Sequence, residues 1–286
     1  MQDLFWFILV VVATVAAGWL AIGLGRLISV FEHGPRSDDP LFNMGQRIAR
    51  WYARRVHRLE VEGYEHLADA ASREGGIVLV ANHTAGVDPV LIQAVAPLDV
   101  RWMMAEDMRL PALEGFWRWM RIIFVPRETG EEVTAERAGE RGSDRGESVR
   151  EAIRHVQAGG VLGLFPEGGI ERPERTLLPF MPGLGLIVAR TRAPVLPVVV
   201  EGTPQVDPAW SSLWRRSRSK LTFLPVIEPD EWRSRGRGVA SELRDRYAAH
   251  TGWPTSERPA GIIPGKGVPE RASARASARG RPPGAG

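Results

Sequence analysis

From Val61 onward the chain alternates short apolar runs rich in β-branched residues with segments of helical periodicity, and turn residues punctuate the joins. Residues 77–81 (IVLVA), 100–105, 122–125, 161–165, 195–200 and 221–226 read as strands. Residues 89–95, 113–120 and 239–249 read as helices, as does the segment carrying Val149, Ala152, Ile153 and Val156. Strands separated by helices are joined most simply by crossover connections, which bring them parallel and lay the helices on the faces of the sheet. The prediction is an α/β fold, a mostly parallel mixed sheet flanked by helices.

Ahead of this domain, residues 4–25 (LFWFILVVVATVAAGWLAIGLG) carry no charge. At roughly 1.5 Å per residue such a helix spans about 33 Å, enough to cross the hydrocarbon core of a bilayer. A cleaved signal peptide would open on basic residues and end at a small-residue site. Here Asp3 precedes the run and Arg26 closes it. Residues 1–30 are therefore expected to form a retained N-terminal transmembrane helix. No basic residue precedes the run, whereas Arg26, Arg36, Arg47, Arg50, Arg54, Arg55 and Arg58 follow it, so the remainder is expected on the cytoplasmic side of the cell membrane as a single-pass protein.

Residues 31–59 read as a linker and a basic helix in which arginines interleave with Met44, Ile48, Trp51, Tyr52 and Val56. Such a helix suits a lipid headgroup surface, and equally the entry helix of a domain. The same two readings hold for residues 116–122 (FWRWMRI). The domain proper is placed at residues 60–253, with a charged surface insertion at 128–147 that lacks apolar periodicity. Residues 254–286 form a basic tail rich in Gly, Pro, Ala and Ser that cannot build a core. No aromatic or other nucleic-acid signature accompanies its arginines, so a lipid membrane is the expected partner and nucleic acid is not.

Composition removes several chemistries. The chain has no cysteine, which excludes disulfides, thiolate metal sites and a cysteine nucleophile. All but two of its 37 basic residues are arginine, a usage that points to a GC-rich bacterial source. Neither a GxSxG elbow nor a phosphate-binding GxxxxGK loop is present.

Two segments carry the candidate chemistry. In ANHTAGVDP a strand ends at Ala81-Asn82 and a helix begins at Asp88-Pro89, which puts His83 on a loop at the sheet edge. Imidazole is the side chain suited to accept a proton at neutral pH, and a carboxylate on its second nitrogen fixes the tautomer. Asp88 is close enough in sequence to curl back and do this, though an Asp before Pro is also an ordinary helix start. In the second segment, GLFPEGG, Pro166 stiffens a turn while Gly168 and Gly169 permit positive φ and close approach of a ligand. Glu167 then projects beside the sheet edge, to brace the turn or place substrate.

NHxxxxD followed about 80 residues later by FPEG resembles the glycerolipid acyltransferase family, which includes the lysophosphatidic acid acyltransferases. Further blocks occur in the family's order: Ile123-Phe124-Val125-Pro126-Arg127, Leu177-Leu178-Pro179-Phe180 with Gly183, and Ala193-Pro194-Val195-Leu196-Pro197-Val198 closing at Gly202. The resemblance implies direct acyl transfer without a covalent acyl-enzyme. His83 would be the base and Asp88 its orienting partner. Asn82, Arg127, Glu167, Gly168, Gly169 and Arg172 would bind substrate, with Arg127 on an acceptor phosphate. It implies a lyso-lipid acceptor, acyl-CoA or acyl-carrier protein as co-substrate, and neither cofactor nor metal. Where the family has threonine, arginine and serine after FPEG, this chain has Gly169, Ile170 and Glu171, with arginine only at Arg172. A non-phosphate acceptor such as an aminolipid or glycolipid is the alternative, as is a non-catalytic lipid-binding protein.

Overall fold

The computed structural model describes residues 34–126, 135–170, 175–234 and 238–257, together with Thr14, Val15, Gly18, Trp19, Leu20 and Gly23. The helix expected over residues 4–25 falls outside the described residues except at those six positions, which are helical. Among the described residues no helix is long and apolar enough to cross a membrane.

Seven strands make one sheet: β1 (Glu60–Glu62), β2 (Ile77–Ala81), β3 (Val100–Ala105), β4 (Ile123–Val125), β5 (Val161–Leu164), β6 (Val195–Glu201) and β7 (Lys220–Phe223). Their order across the sheet is β1-β7-β6-β2-β5-β3-β4. β2 to β6 run parallel, while β7 is antiparallel to β6 and carries β1 parallel to itself. The expected mostly parallel mixed sheet is thus what forms. β2 lies at its centre, and the chain leaves β2 toward β3 on one side but returns from β5 to β6 on the other. That reversal opens a crevice beyond the carboxyl ends of β2 and β5, where open α/β sheets place ligands.

The helices are α1 (Pro40–Val56), α2 (Tyr64–Ser72), α3 (Asp88–Val95), α4 (Glu114–Trp119), α5 (Ala135–Gln157), α6 (Pro182–Thr191), α7 (Pro229–Ser234) and α8 (Val239–Thr251). Every residue of β2 is buried, so the strand needs cover on both sides. Ile77, Leu79 and Ala81 pack with Leu67, Leu91, Ile92 and Trp102 on one face. Val78 and Val80 pack with Ala152, Val156, Ile187, Leu243 and Tyr247 on the other. Tyr247 also bridges β6 to β2 through its hydroxyl. Val198 N–H donates to its hydroxyl at 3.0 Å, and the hydroxyl donates to the Val80 carbonyl at 2.6 Å.

α1 shows that its two sequence readings are compatible. Asp39 caps it, accepting from Phe42 N–H at 2.9 Å, and Pro40 fits the first turn. Phe42, Asn43, Gln46 and Ala53 are buried against the domain. Gln46 donates to the carbonyls of Gln93 and Ala96, and Arg50 Nε donates to Ala94 at 3.0 Å, which satisfies the open end of α3. The opposite face, Arg47, Ile48, Trp51, Arg54 and Arg55, is exposed.

Several elements depart from expectation. β1, α2 and α6 carry no strong sequence signal. Gly183 and Gly185 weaken the helical propensity of α6, but burial of Leu184, Ile187 and Val188 at helical spacing overrides it. Of the segment expected as an insertion at 128–147, residues 128–134 lie outside the described residues. From Ala135 it is helix, continuous through Gln157. In FWRWMRI, Trp117 is core at 4% exposure and donates its indole N–H to Leu110, whereas Phe116 is exposed with Leu110 and Leu113. The chain also stays on the domain past 254, since Leu177 N–H donates to Pro254 and Ser256 N–H to Leu177. Residues 258–286 lie outside the described residues.

Candidate active site

The loop after β2 turns straight into α3, whose first residue, Asp88, is fully buried. One carboxylate oxygen, Oδ2, accepts the backbone N–H of Thr84 at 2.7 Å and of Ala85 at 2.8 Å. The same oxygen lies 3.0 Å from Nδ1 of His83. Ionised carboxylates accept and do not donate, so Nδ1 carries the hydrogen and Nε2 presents a lone pair. Nε2 meets no hydrogen-bond partner among the described residues, and the His83 side chain is 19% exposed. Thr84 Oγ1 lies 3.3 Å from both carboxylate oxygens and pairs with Thr203 Oγ1 from beyond β6. The geometry holds the imidazole on Asp88 through Nδ1 and leaves Nε2 with a lone pair.

The second segment meets the first through the sheet. β2 and β5 pair Ile77 with Val161 and Val80 with Leu164. Carrying that register past the strand ends sets His83 opposite Glu167. The Glu167 carboxylate, 1% exposed, accepts the backbone N–H of His83 at 3.3 Å. That contact joins the turn carrying Glu167 to the loop carrying His83. Gly168 adopts φ of +69°, a conformation strained for other residues, and bonds back to the Phe165 carbonyl at 3.2 Å. Gly169 is buried beside it.

Asn82, expected among the substrate-binding residues, lies at the carboxyl end of β2 beside β6. It is fully buried, its amide donating to the Val200 carbonyl at 3.0 Å and accepting from Val200 N–H at 2.8 Å. Each end of the amide thereby makes one hydrogen bond to β6, and the side chain ties the His83 loop to that strand. Arg127 and Arg172 lie outside the described residues.

Sequence reading missed the aromatic wall of the site. The ring of Phe165 stacks on the His83 imidazole with centroids 4.1 Å apart and planes 19° from parallel. The available signal was the position of Phe165 in FPEG, two residues before Glu167 on a strand aligned with β2. Also missed was a second buried histidine below the loop. Tyr52 donates its hydroxyl to the Leu213 carbonyl, so its oxygen accepts from His57 Nε2–H at 2.8 Å. Ser217 then donates to Nδ1 at 2.7 Å. Burial pushes His57 below the ordinary imidazole range, against the attraction of Asp88.

A carboxylate-held imidazole at the carboxyl edge of a mostly parallel sheet is the form of a general-base site in an α/β protein. The family described as Acyltransferase matches residues 58–201, and the chain belongs to that family. It is 22% identical over 208 residues to a 1-acyl-sn-glycerol-3-phosphate acyltransferase of Limnanthes douglasii, an alignment covering 71% of this chain and 66% of that relative. Its fold is similar to the crystal structure of PlsC, the 1-acyl-sn-glycerophosphate (LPA) acyltransferase from Thermotoga maritima. There the TM-score is 0.55 at 20% identity, over 74% of this chain and 77% of the other.

Proposed function

We propose that the chain transfers a fatty acyl group from acyl-CoA or acyl-carrier protein to the hydroxyl of a lysophospholipid, with a 1-acylglycerol-3-phosphate as the reference acceptor. The observation that carries this reading is the His83–Asp88 pair with a lone pair on Nε2, in a chain of the acyltransferase family. Nε2 of His83 removes the hydroxyl proton as the oxygen attacks the thioester carbonyl, and Asp88 stabilises the imidazolium that forms. The tetrahedral oxyanion then collapses, the C–S bond breaks, and the imidazolium returns its proton to the thiolate. Thiol and diacyl lipid leave, and no covalent intermediate on the protein is needed.

Binding of the acceptor is assigned to Gly168, Gly169, Arg127 and Arg172. Gly168 and Gly169 allow close approach of the backbone, while Arg127 and Arg172 supply guanidinium forks for a phosphate. The N-terminal uncharged run is read as a single membrane anchor with the domain on the cytoplasmic face. The exposed Ile48 and Trp51 among the arginines of α1 are read as its contact with the lipid interface.

The test is thiol release from acyl-CoA and acyl-carrier protein by the purified full chain and by His83→Ala, against a panel of lyso-lipids with and without phosphate. The reading requires that one phosphorylated acceptor give a diacyl product that His83→Ala fails to make. Product of equal yield from His83→Ala overturns it, and product only with aminolipid or glycolipid acceptors moves the acceptor assignment away from phosphate.

A further inference from the structure

We infer that Phe165 is a positioning residue for His83, held in place by Trp102 across Gly163. The inference rests on the proposed role of His83 as the base.

Its foundation is a glycine in the middle of a buried strand. A Cβ at Gly163 would lie 2.6 Å from Cε3 of Trp102 and 2.6 Å from Cγ1 of Val100, so only a residue without a side chain lets the indole lie across β5. Trp102, on the neighbouring strand β3 and 4% exposed, is fixed in the core by that packing. Its ring stacks on Phe165 with centroids 5.3 Å apart and planes 13° from parallel. Phe165 in turn stacks on His83 at 4.1 Å and 19°. Three nearly parallel rings therefore run from the core to the crevice, and the imidazole is the outermost.

The hydrogen bond to Asp88 holds one atom of the His83 ring and leaves the ring able to tilt about that bond. A flat face packed against the ring removes the tilt, because leaving the plane opens a gap and forfeits van der Waals contact. In-plane and out-of-plane constraints together fix the direction of Nε2, on which proton removal depends. The face of Phe165 has a second effect. An aromatic face attracts a cation, so it favours the imidazolium that exists only after proton transfer has begun. Interactions that strengthen toward the transition state act on kcat and spare substrate binding. Phe165 is not placed to touch the reacting atoms, and its influence passes through His83.

The experiment compares Phe165→Leu, Phe165→Met, Phe165→Tyr and His83→Ala in the full chain, using thiol release with lysophosphatidic acid and acyl-CoA. A parallel NMR measurement follows the His83 Cε1–H resonance in protein labelled with ¹³C-histidine. The Leu and Met variants are expected to lose roughly 10- to 100-fold in kcat with KM within about twofold, as for a base displaced by a fraction of an ångström. Tyr, which keeps the ring, is expected to restore kcat to within about threefold of wild type. The His83 resonance, shifted upfield by the ring above it, is expected to move downfield in Leu and Met and to stay in Tyr. Wild-type kcat in Leu and Met, a loss confined to KM, or an unmoved resonance overturns the inference. The Met variant fills the site with a flexible, unbranched chain, so a folding defect peculiar to leucine leaves the comparison intact. Activity in His83→Ala would sink the general-base reading itself, whereas an inactive His83→Ala beside a fully active Phe165→Leu sinks only the stack.

Discussion

Asp88 receives Nδ1–H of His83 on the same carboxylate oxygen that accepts the backbone N–H groups of Thr84 and Ala85. The three donors converge on a fully buried atom, so the charge that orients the imidazole also folds the loop carrying it.

Asp88→Asn therefore separates the two duties. An amide oxygen in the same place still accepts the backbone donors, but the negative charge that stabilises the imidazolium is gone. A kcat lower by up to about 10⁴-fold with folding retained is expected, the loss seen when the orienting carboxylate of a catalytic triad is neutralised. Steady-state kinetics beside a thermal unfolding curve checks it, and kcat within threefold of wild type contradicts it.

Asn82→Ala is expected to act on stability first. It strands the N–H and C=O of Val200 in the centre of the sheet, and each stranded buried group costs about 1–3 kcal/mol, giving a loss on the order of 2–4 kcal/mol. Urea denaturation of the wild type and the variant measures it. A loss below about 0.5 kcal/mol would mean that Asn82 contributes chiefly to the ligand.

His57 sets an expected acid limit. Burial holds it neutral, with its proton affinity lowered from the ordinary pKa of 6.5. Below pH 6.5 the unfolded chain takes up a proton that the native state refuses, so stability falls as pH drops and is fully present above that value. His155 is lowered by burial too and adds to the slope. Between about pH 6.5 and 5, His57→Gln is expected to flatten the dependence by up to about 1.4 kcal/mol per pH unit, the value of one proton. Denaturation midpoints at stepped pH report it, and an unchanged slope refutes the assignment.

Arg47, Arg54 and Arg55 lie on the outward face of α1. With about 1 kcal/mol per basic side chain at an anionic lipid surface, their joint replacement by Gln is expected to weaken binding to anionic mixed micelles about 100-fold. The wild-type preference for anionic lipid should itself fade as salt rises. Surface-dilution kinetics in anionic and neutral micelles distinguishes this from a general loss of function, and equal behaviour of variant and wild type rejects a lipid contact at this face.

What the sequence discloses here is what is local. His83 and Asp88 share one loop, so their pairing is visible as spacing, and the buried strands announce themselves through apolar runs such as IVLVA. The role of Asn82 is hidden because its partner, Val200, stands 118 residues away. The Phe165 stack is hidden for a related reason, since it depends on the β2–β5 register and on the room that Gly163 leaves for Trp102. α6 is obscured by its glycines, and the early part of α5 by a stretch of charge and glycine that turns helical without an apolar stripe. The two arginines assigned to phosphate lie in segments about which the fold gives no geometry.

The register of β2 on β5 also frees the meeting of the two loops from chain length. His83 meets Glu167 because two adjacent strands are in step, not because a fixed number of residues separates them. The long excursion through β3, β4 and α5 can therefore differ in length between members of such a fold while the β2–β5 register keeps the two loops opposite each other.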